Sequence, residues 1–244
     1  MRKLAVLPAA LVAAAVLAAP VAAQTPVTEF KSQAKITPKT AGTKKDPRGI
    51  RIDGSFAFKT ITAGVEAPIV TGGDILIAKG GVYNGGKYKT CSEQAMRRAQ
   101  STDVCPKESI MGGGRGVAFA DTVDAKPRVE LVNGGANTVW AFTTLYNPAL
   151  VQEPVRISIQ KLGSPKWGYK ASFRVPKVLQ VVAGVPITLR SLSYSIGGKP
   201  YAKEYIATTS CPKTKKYPYE ATAHYLYSDS TVGASTYKGT VACS

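Results

Sequence analysis

Eleven short segments rich in β-branched and aromatic residues follow one another along the chain, separated by Gly, Pro, Asn and Ser. In residues 155–160, three aliphatic residues alternate with three polar ones, which is typical of an antiparallel strand with one buried face. No long window shows the 3.6-residue period of a helix. The sequence therefore predicts an all-β fold, an antiparallel, jelly-roll-like β-sandwich of about ten strands with one short helix. The predicted strand segments are residues 49–59, 74–83, 115–119, 128–132, 138–146, 154–161, 167–175, 186–196, 201–209, 217–227 and 235–243.

Two pairs of cysteines, Cys91 with Cys105 and Cys211 with Cys243, are the expected covalent links of this fold. Four cysteines permit three pairings, and we expect this one because each bridge closes a locally coherent unit. Disulfides form in oxidising compartments, so the pattern indicates an exported chain and leaves no free thiol for catalysis.

The one predicted helix lies between Cys91 and Cys105. Ser92 is a suitable N-cap, Glu93 complements the positive end of the helix, and a stripe of small apolar residues surrounds Met96. A disulfide between the two flanking cysteines would clip both ends of this helix together.

The first 23 residues have the pattern of a removable export signal. Arg2 and Lys3 form a positive region, residues 4–17 are apolar, and small residues precede a predicted cleavage after Ala23. Prolines interrupt the apolar stretch, so we expect no permanent membrane anchor. The sequence predicts a secreted protein that is extracellular or associated with the cell envelope and has no transmembrane segment.

The predicted mature chain is strongly basic. Loss of Arg2 and Lys3 with the signal leaves 30 basic and 15 acidic side chains, a net charge of +15. Residues 24–47 are predicted to form a basic, partly mobile arm or an edge strand, and residues 48–244 a single β-sandwich domain. The charge favours an anionic wall polymer or polysaccharide as partner, with no specific nucleic acid, although it also keeps a secreted protein soluble. The lysines of the arm are Lys31, Lys35, Lys39, Lys44 and Lys45.

Aromatic and basic residues are concentrated together in the last third of the chain. Nine of the twelve tyrosines follow Lys166. Tyrosine rings stack on sugar rings and lysines attract acidic substituents, so these residues form a candidate glycan-binding platform. Ordinary strand composition explains the same tyrosines without a ligand. The candidate ligand-binding residues are Tyr201, Tyr205, Tyr217, Tyr219, Tyr225, Tyr227, Lys203, Lys215 and Lys216.

The chain offers few residues for nucleophilic catalysis or metal binding. His224 is the only histidine, and its place in an alternating strand favours a structural role. With one histidine and all cysteines expected in disulfides, we predict no metal site and no cofactor. A predicted strand rather than a helix follows the glycine run at residues 112–114, so this run is interpreted as a strand edge or bulge and not as a phosphate loop.

A pair of carboxylates is the remaining route to enzymatic activity, because glycoside hydrolysis needs only two. No two carboxylates stand at the i, i+2 spacing that would place them on one face of a strand. We therefore predict no catalytic residues and keep a glycan-active hydrolase as an alternative. The carboxylates in or beside predicted strands are Glu130, Glu153, Glu204 and Glu220.

The cysteine pattern resembles that of a group of secreted proteins. Residues 105–112, CPKESIMG, are similar to the Cys…Cys-Pro-x-x-Ser-x-x-Gly segment of uncharacterised secreted β-sandwich proteins common in high-GC actinobacteria. The lysine-rich segment 38–45 and the C-terminal pair of Cys211 and Cys243 also resemble that group. The resemblance covers most of the mature chain and implies the fold and secretion only, since it brings no catalytic residues. The chain departs from the group at residues 217–219, where Tyr-Pro-Tyr stands in place of a tryptophan.

These observations predict a secreted, non-enzymatic binding protein that associates with the cell envelope or with an extracellular anionic glycan. A structural or self-assembling surface protein is the first alternative, and a hydrolase that uses carboxylates is the second.

Overall fold

The computed structural model describes residues 27–62, 66–201 and 204–244. The predicted export signal, residues 1–23, lies outside the described residues. Sixteen strands and two α-helices occur in the described part of the chain. In chain order they are β1 (Thr28–Thr37), β2 (Arg48–Gly49), β3 (Arg51–Thr60), β4 (Ile69–Ala78), β5 (Gly81–Tyr83), α1 (Glu93–Ala99), β6 (Ile110–Ala120), β7 (Val123–Asp124), β8 (Arg128–Asn133), β9 (Thr138–Leu145), β10 (Val151–Lys161), β11 (Trp167–Arg174), α2 (Lys177–Gln180), β12 (Val181–Val182), β13 (Val185–Ile196), β14 (Ile206–Thr208), β15 (Lys216–Leu226) and β16 (Val232–Ala242).

Most of the strands belong to one antiparallel sheet. Eleven of them follow in the order β1-β3-β13-β6-β8-β9-β10-β11-β4-β15-β16, while β7 pairs with β6 and β12 with β13. The sheet is nearly closed, because its outer strands β1 and β16 lie against each other; Ser235 Oγ donates to the Thr28 carbonyl at 2.6 Å. The predicted antiparallel, sandwich-like all-β fold is confirmed.

Alternation along the strands decides which side chains face the interior of the sheet. In β10, Val155, Ile157 and Ile159 line the interior, whereas the polar residues between them are exposed. The period of two that the sequence showed at residues 155–160 therefore marks a real inner and outer face.

The two ends of the curled sheet carry different covers. At one end, a small three-stranded sheet of order β2-β14-β5 places Val82, Ala207 and Thr208 over the interior. At the other end, α2 and β12 close the interior with Leu179 and Val182, which pack on apolar residues of the main sheet. We name these the strand-capped end and the helix-capped end.

Both predicted disulfides are present, linking Cys91 to Cys105 and Cys211 to Cys243. Between the first two cysteines lies α1, and the Ser92 side chain caps it by accepting from Ala95 N at 3.2 Å. Met96 is fully buried and packs with both cysteines on the outside of the main sheet. The predicted disulfide-clipped helix is thereby confirmed.

Some strand boundaries differ from those that the sequence indicated. The segment 74–83 is not one strand but the end of β4, a tight turn and β5. β6 begins at Ile110 rather than at Arg115, because its glycines let neighbouring backbones approach: a Cβ on Gly114 would lie 2.5 Å from the Ser193 carbonyl oxygen. A register shift between Ile110 and Gly112 produces the bulge expected at the glycine run.

Candidate functional site

Most of the candidate tyrosines lie in the interior. Four of them have no more than 8% of their surface exposed. Three of the four hydroxyls bond to nearby protein groups: those of Tyr205 and Tyr217 donate to backbone carbonyls, and that of Tyr227 lies 2.8 Å from Thr28 Oγ1. The fourth hydroxyl is buried and has no hydrogen-bond partner among the described residues. Because their rings are covered by protein, these four tyrosines do not form the exposed stacking platform that the sequence suggested. They are Tyr205, Tyr217, Tyr225 and Tyr227.

The sequence contained a signal for this burial in β15. Tyrosine and alanine occupy its odd positions, while Glu220, Thr222 and His224 occupy even ones. That alternation indicates an apolar inner face, and the structure places Tyr217 and Ala221 against the interior. An interpretation based on composition alone assigned these rings to the surface.

The other candidate residues are more accessible or lie elsewhere. Tyr219 is half-buried and its hydroxyl donates to the Ser32 carbonyl at 2.8 Å. Tyr201 is half-buried and lines a groove on the outer surface. Lys215 and Lys216 are exposed. Lys203 lies outside the described residues.

The fold brings lysines from distant parts of the sequence to the strand-capped end. Ser244 N donates to the Lys39 carbonyl at 3.0 Å, and Cys243 N donates to the Lys215 carbonyl at 3.0 Å. The basic arm thus runs beside the C-terminal residues, and the Cys211–Cys243 disulfide ties these to the start of the final hairpin. We name the exposed lysines of these segments the lysine patch: Lys39, Lys44, Lys45, Lys213, Lys215 and Lys216.

A tight turn presents two lysines of this patch. Thr43 N donates to the Asp46 carbonyl at 2.8 Å, and Asp46 N donates back to Thr43 Oγ1 at 3.0 Å. Gly42 allows the turn to pack closely against β14, since a Cβ at that position would lie 2.8 Å from the Thr208 carbonyl oxygen. Lys44 and Lys45 stand at the tip of the turn and are exposed.

The charge of the lysine patch is poorly compensated. Among the described residues, none of its six ammonium groups lies within 4.0 Å of a carboxylate oxygen. Asp46 is the acidic side chain carried by the same segments. A cluster of one sign with few counter-charges raises the local concentration of polyanions.

A surface groove of about 540 Å³ crosses the glycine-rich part of β6. Arg115, Arg128 and Tyr201 line it together with Asp53 and Glu130. The groove begins near the strand-capped end, because Asp53 lies two residues after Arg51, which pairs with the last residue of β1. Arg115, Arg128 and Tyr201 place cationic and aromatic side chains in the same groove.

A polar network holds one wall of the groove. The Asp53 carboxylate accepts from Arg51 Nε at 2.8 Å and from Ser195 Oγ at 2.6 Å, and Arg51 Nη2 also donates to Ser195 Oγ at 2.9 Å. Burial raises the pKa of Asp53, but the bonds from Ser195 and Arg51 outweigh burial, so this pKa lies below its ordinary value. Asp53 stays ionised at neutral pH and keeps Arg51 in place.

The single histidine belongs to a second cluster on the outer face. His224 Nε2 lies 3.3 Å from Asp74 Oδ2, while Lys170 Nζ and Ser172 Oγ approach Asp74 Oδ1 at 3.0 and 2.5 Å. Burial raises the pKa of Asp74, but the bonds from Ser172, Lys170 and His224 outweigh it and the pKa is lowered. Ser172 bonds to the aspartate rather than to the histidine, so this is not the serine–histidine arrangement of a hydrolase.

The carboxylates considered for hydrolysis are engaged in separate contacts. Glu153 is buried and pairs with Arg97 of α1. Glu130 accepts from Thr102 and lies 3.5 Å from Arg128, and Glu220 lies 3.8 Å from Lys238. Glu204 is exposed in the loop before β14. These contacts do not join any two of the four carboxylates.

Comparison with protein-family models found no match, and comparison with curated proteins found none either. None of the helices among the described residues is long and apolar enough to cross a membrane. Within residues 27–62, 66–201 and 204–244, no three His, Cys, Asp or Glu side chains are grouped so that they could hold a metal ion. The two disulfides fit an oxidising environment.

Proposed function

We propose that this chain is a secreted, non-enzymatic binding protein that associates with an anionic polymer of the cell envelope or an extracellular anionic glycan through the lysine patch. The observation that carries the proposal is the joining of the basic arm to the C-terminal hairpin. Lys39 and Lys215 each accept a backbone bond from adjacent residues, Ser244 and Cys243. Positive charges that are scattered in the sequence are thereby concentrated at one end.

The neighbouring groove favours an anionic glycan as the ligand over a polyanion that contains no sugar rings. Tyr201 supplies a half-buried aromatic side chain, and Arg115 and Arg128 are exposed cations beside it. Aromatic rings bind the apolar faces of sugars, while arginine pairs with carboxylates in two parallel hydrogen bonds. The polymer would be attracted by the lysine patch and oriented in the groove.

The experiment is cosedimentation of the oxidised mature protein with isolated cell wall and with polygalacturonate, across a salt series. The test variant carries Lys39→Gln, Lys215→Gln and Lys216→Gln. The matched control removes three exposed lysines at the helix-capped end through Lys59→Gln, Lys126→Gln and Lys177→Gln. Both variants lose the same net charge.

We expect the test variant to bind at least tenfold more weakly at 0.15 M salt and the control less than twofold, because a Debye length of about 8 Å screens distant charges. Equal losses of polymer binding in the two variants would show that the attraction is non-specific and would overturn the proposal. Release of reducing sugar from the polymer would instead favour the hydrolase alternative.

A further inference from the structure

The interior of the curled sheet is not filled by its own side chains. A cavity of about 430 Å³ runs through it. Many inward-facing apolar residues are only half-buried although they point away from the outer surface, since they face this space. Among them are Phe56, Ile75, Ile77, Ile157 and Phe173. We name this cavity the inner chamber.

The number of strands leaves the chamber open. A closed sheet of eight strands is just wide enough for side chains to fill, and eleven strands enclose more space.

The lining of the chamber is almost entirely apolar. Asp74 contributes to the wall, but its carboxylate is engaged on the outer face by Lys170, Ser172 and His224. At the strand-capped end, the buried hydroxyl of Thr208 has no hydrogen-bond partner among the described residues. An apolar space of this kind is poorly suited to water and well suited to an apolar ligand.

The size of the chamber limits what it can hold. An apolar protein cavity of about 150 Å³ holds one benzene ring of six carbons, so 430 Å³ corresponds to about 17 carbons. The chamber extends between the two covers along the length of the strands, because both Leu179 at one end and Thr208 at the other line it. A long and narrow space favours an extended chain over a compact ring system.

We propose that the inner chamber binds one unbranched apolar chain of about 17 carbons, such as the acyl chain of a fatty acid or a lipid. This binding site goes beyond the proposed association with an anionic polymer and uses different residues. The ligand reaches the chamber through the helix-capped end, where, among the residues that the structure describes, the four-residue α2 and the two-residue β12 cover it.

The first measurement is a fluorescence titration of the oxidised mature protein with cis-parinaric acid, a polyene chain of 18 carbons. Saturable binding at one site is expected. Palmitic acid and palmitoyl-lysophosphatidylcholine then serve as competitors. Competition by palmitic acid alone identifies a free fatty acid as ligand, whereas competition by both identifies a lipid whose headgroup stays outside. Absence of saturable binding would overturn the proposal.

Two substitutions test whether the ligand binds inside the chamber. Ala141→Phe fills the chamber from β9, and Ala57→Phe adds the same group on the exposed side of β3. We expect Ala141→Phe to weaken parinarate binding at least tenfold without lowering the thermal midpoint of the ligand-free protein, because a ring that enters empty space causes no overpacking. Ala57→Phe should leave affinity unchanged. Equal effects of the two variants on affinity would contradict the proposal. If Ala141→Phe does not fold, Ile77→Phe serves as a second chamber variant, and unchanged parinarate binding in that variant would also contradict the proposal.

A kinetic experiment tests the route of access. Leu179→Ala removes the α2 side chain that covers the chamber, whereas Val178→Ala changes an exposed residue of the same helix. Leu179→Ala should raise the parinarate association rate at least threefold and Val178→Ala should not. Equal rates would place the opening elsewhere. The variant with Lys39→Gln, Lys215→Gln and Lys216→Gln should bind parinarate normally. A failure of the polymer proposal can therefore be distinguished from a failure of the proposal for the inner chamber.

Discussion

The two ends of the curled sheet are closed by unequal structures. At the strand-capped end, the three-stranded sheet is backed by Tyr205, which is fully buried, and by Asn133, whose Nδ2 donates to the Gly85 and Lys89 carbonyls at 2.8 and 2.9 Å. At the helix-capped end, six residues of α2 and β12 provide the cover, and Leu179 and Val182 are its buried side chains. One end is joined to distant segments by many contacts, and the other by few.

This difference would separate the two proposed activities, with polymer binding at the strand-capped end and entry of an apolar chain at the helix-capped end. The strand-capped end holds the lysine patch in a fixed arrangement, since Ile50 N donates to the Ile206 carbonyl at 2.8 Å and Asn84 N to the Tyr205 carbonyl at 2.9 Å. A cover with few buried contacts opens at a lower free energy than one with many. The helix-capped end is therefore the part of the fold that can open while the rest stays folded.

Removal of the disulfide at the strand-capped end should have the largest effect. Cys211 and Cys243 are 32 residues apart, and Cys91 and Cys105 are 14 apart. In the chain-entropy model, the longer loop contributes about 4 kcal/mol to the free energy of unfolding and the shorter loop about 3 kcal/mol. Urea unfolding of the Cys211→Ala/Cys243→Ala variant and of the Cys91→Ala/Cys105→Ala variant measures both values.

The same pair of variants tests whether the strand-capped end depends on its disulfide. Loss of the 211–243 bridge should also weaken polymer binding, because it frees the hairpin that carries Lys215 and Lys216. A loss of stability below about 1 kcal/mol, with polymer binding retained, would show that hydrogen bonds alone fix this end.

Amide hydrogen exchange compares the two covers directly. Leu179 N donates to the Pro176 carbonyl in α2, and Ile50 N donates to the Ile206 carbonyl at the strand-capped end. We expect the Leu179 amide to exchange at least a hundredfold faster after correction for intrinsic rates, which corresponds to about 2.7 kcal/mol less opening free energy. Equal protection at the two sites would remove the argument for access through α2. NMR detection in deuterated buffer gives both rates in one sample.

Local features of the fold could be predicted from the sequence because neighbouring residues determine them. Ser92 and Met96 specify a capped helix, and the alternation at residues 155–160 specifies an inner and an outer face. The cysteine pairing followed from the same kind of local argument. The helix cap and the alternation act within about one turn or one strand, and the cysteine pairs close segments of 14 and 32 residues.

The candidate site depended on contacts that no local pattern contains. Lys39 and Lys215 are far apart in sequence and become neighbours only when the arm pairs with the C-terminal residues. The inner chamber likewise arises from the closure of β1 onto β16, which the strand pattern does not encode. The burial of Tyr225 could have been inferred from its alternation with His224, whereas the empty space inside the sheet could not.

The smallest expected effect concerns the turn between β12 and β13 at the helix-capped end. Ala183 and Gly184 both have positive φ, at 51° and 81°, and Val182 pairs with Val185 across them. Asn-Gly is the favoured sequence for a two-residue turn of this kind, because asparagine tolerates the left-handed conformation better than alanine. Ala183→Asn should raise the free energy of unfolding by about 0.5 kcal/mol in urea titrations.

A more informative result of Ala183→Asn is its local effect. A more stable turn holds β12 and α2 closed for longer, so exchange at the Leu179 amide and association of parinarate should both slow, while exchange at Ile50 stays unchanged. Ala183→Val is the control with the opposite expected effect, because a β-branched residue is strained at positive φ. It should speed both the exchange at the Leu179 amide and the association of parinarate. If the two substitutions shift Leu179 and Ile50 together, the covers open only with global unfolding, and the distinction between the two ends is lost.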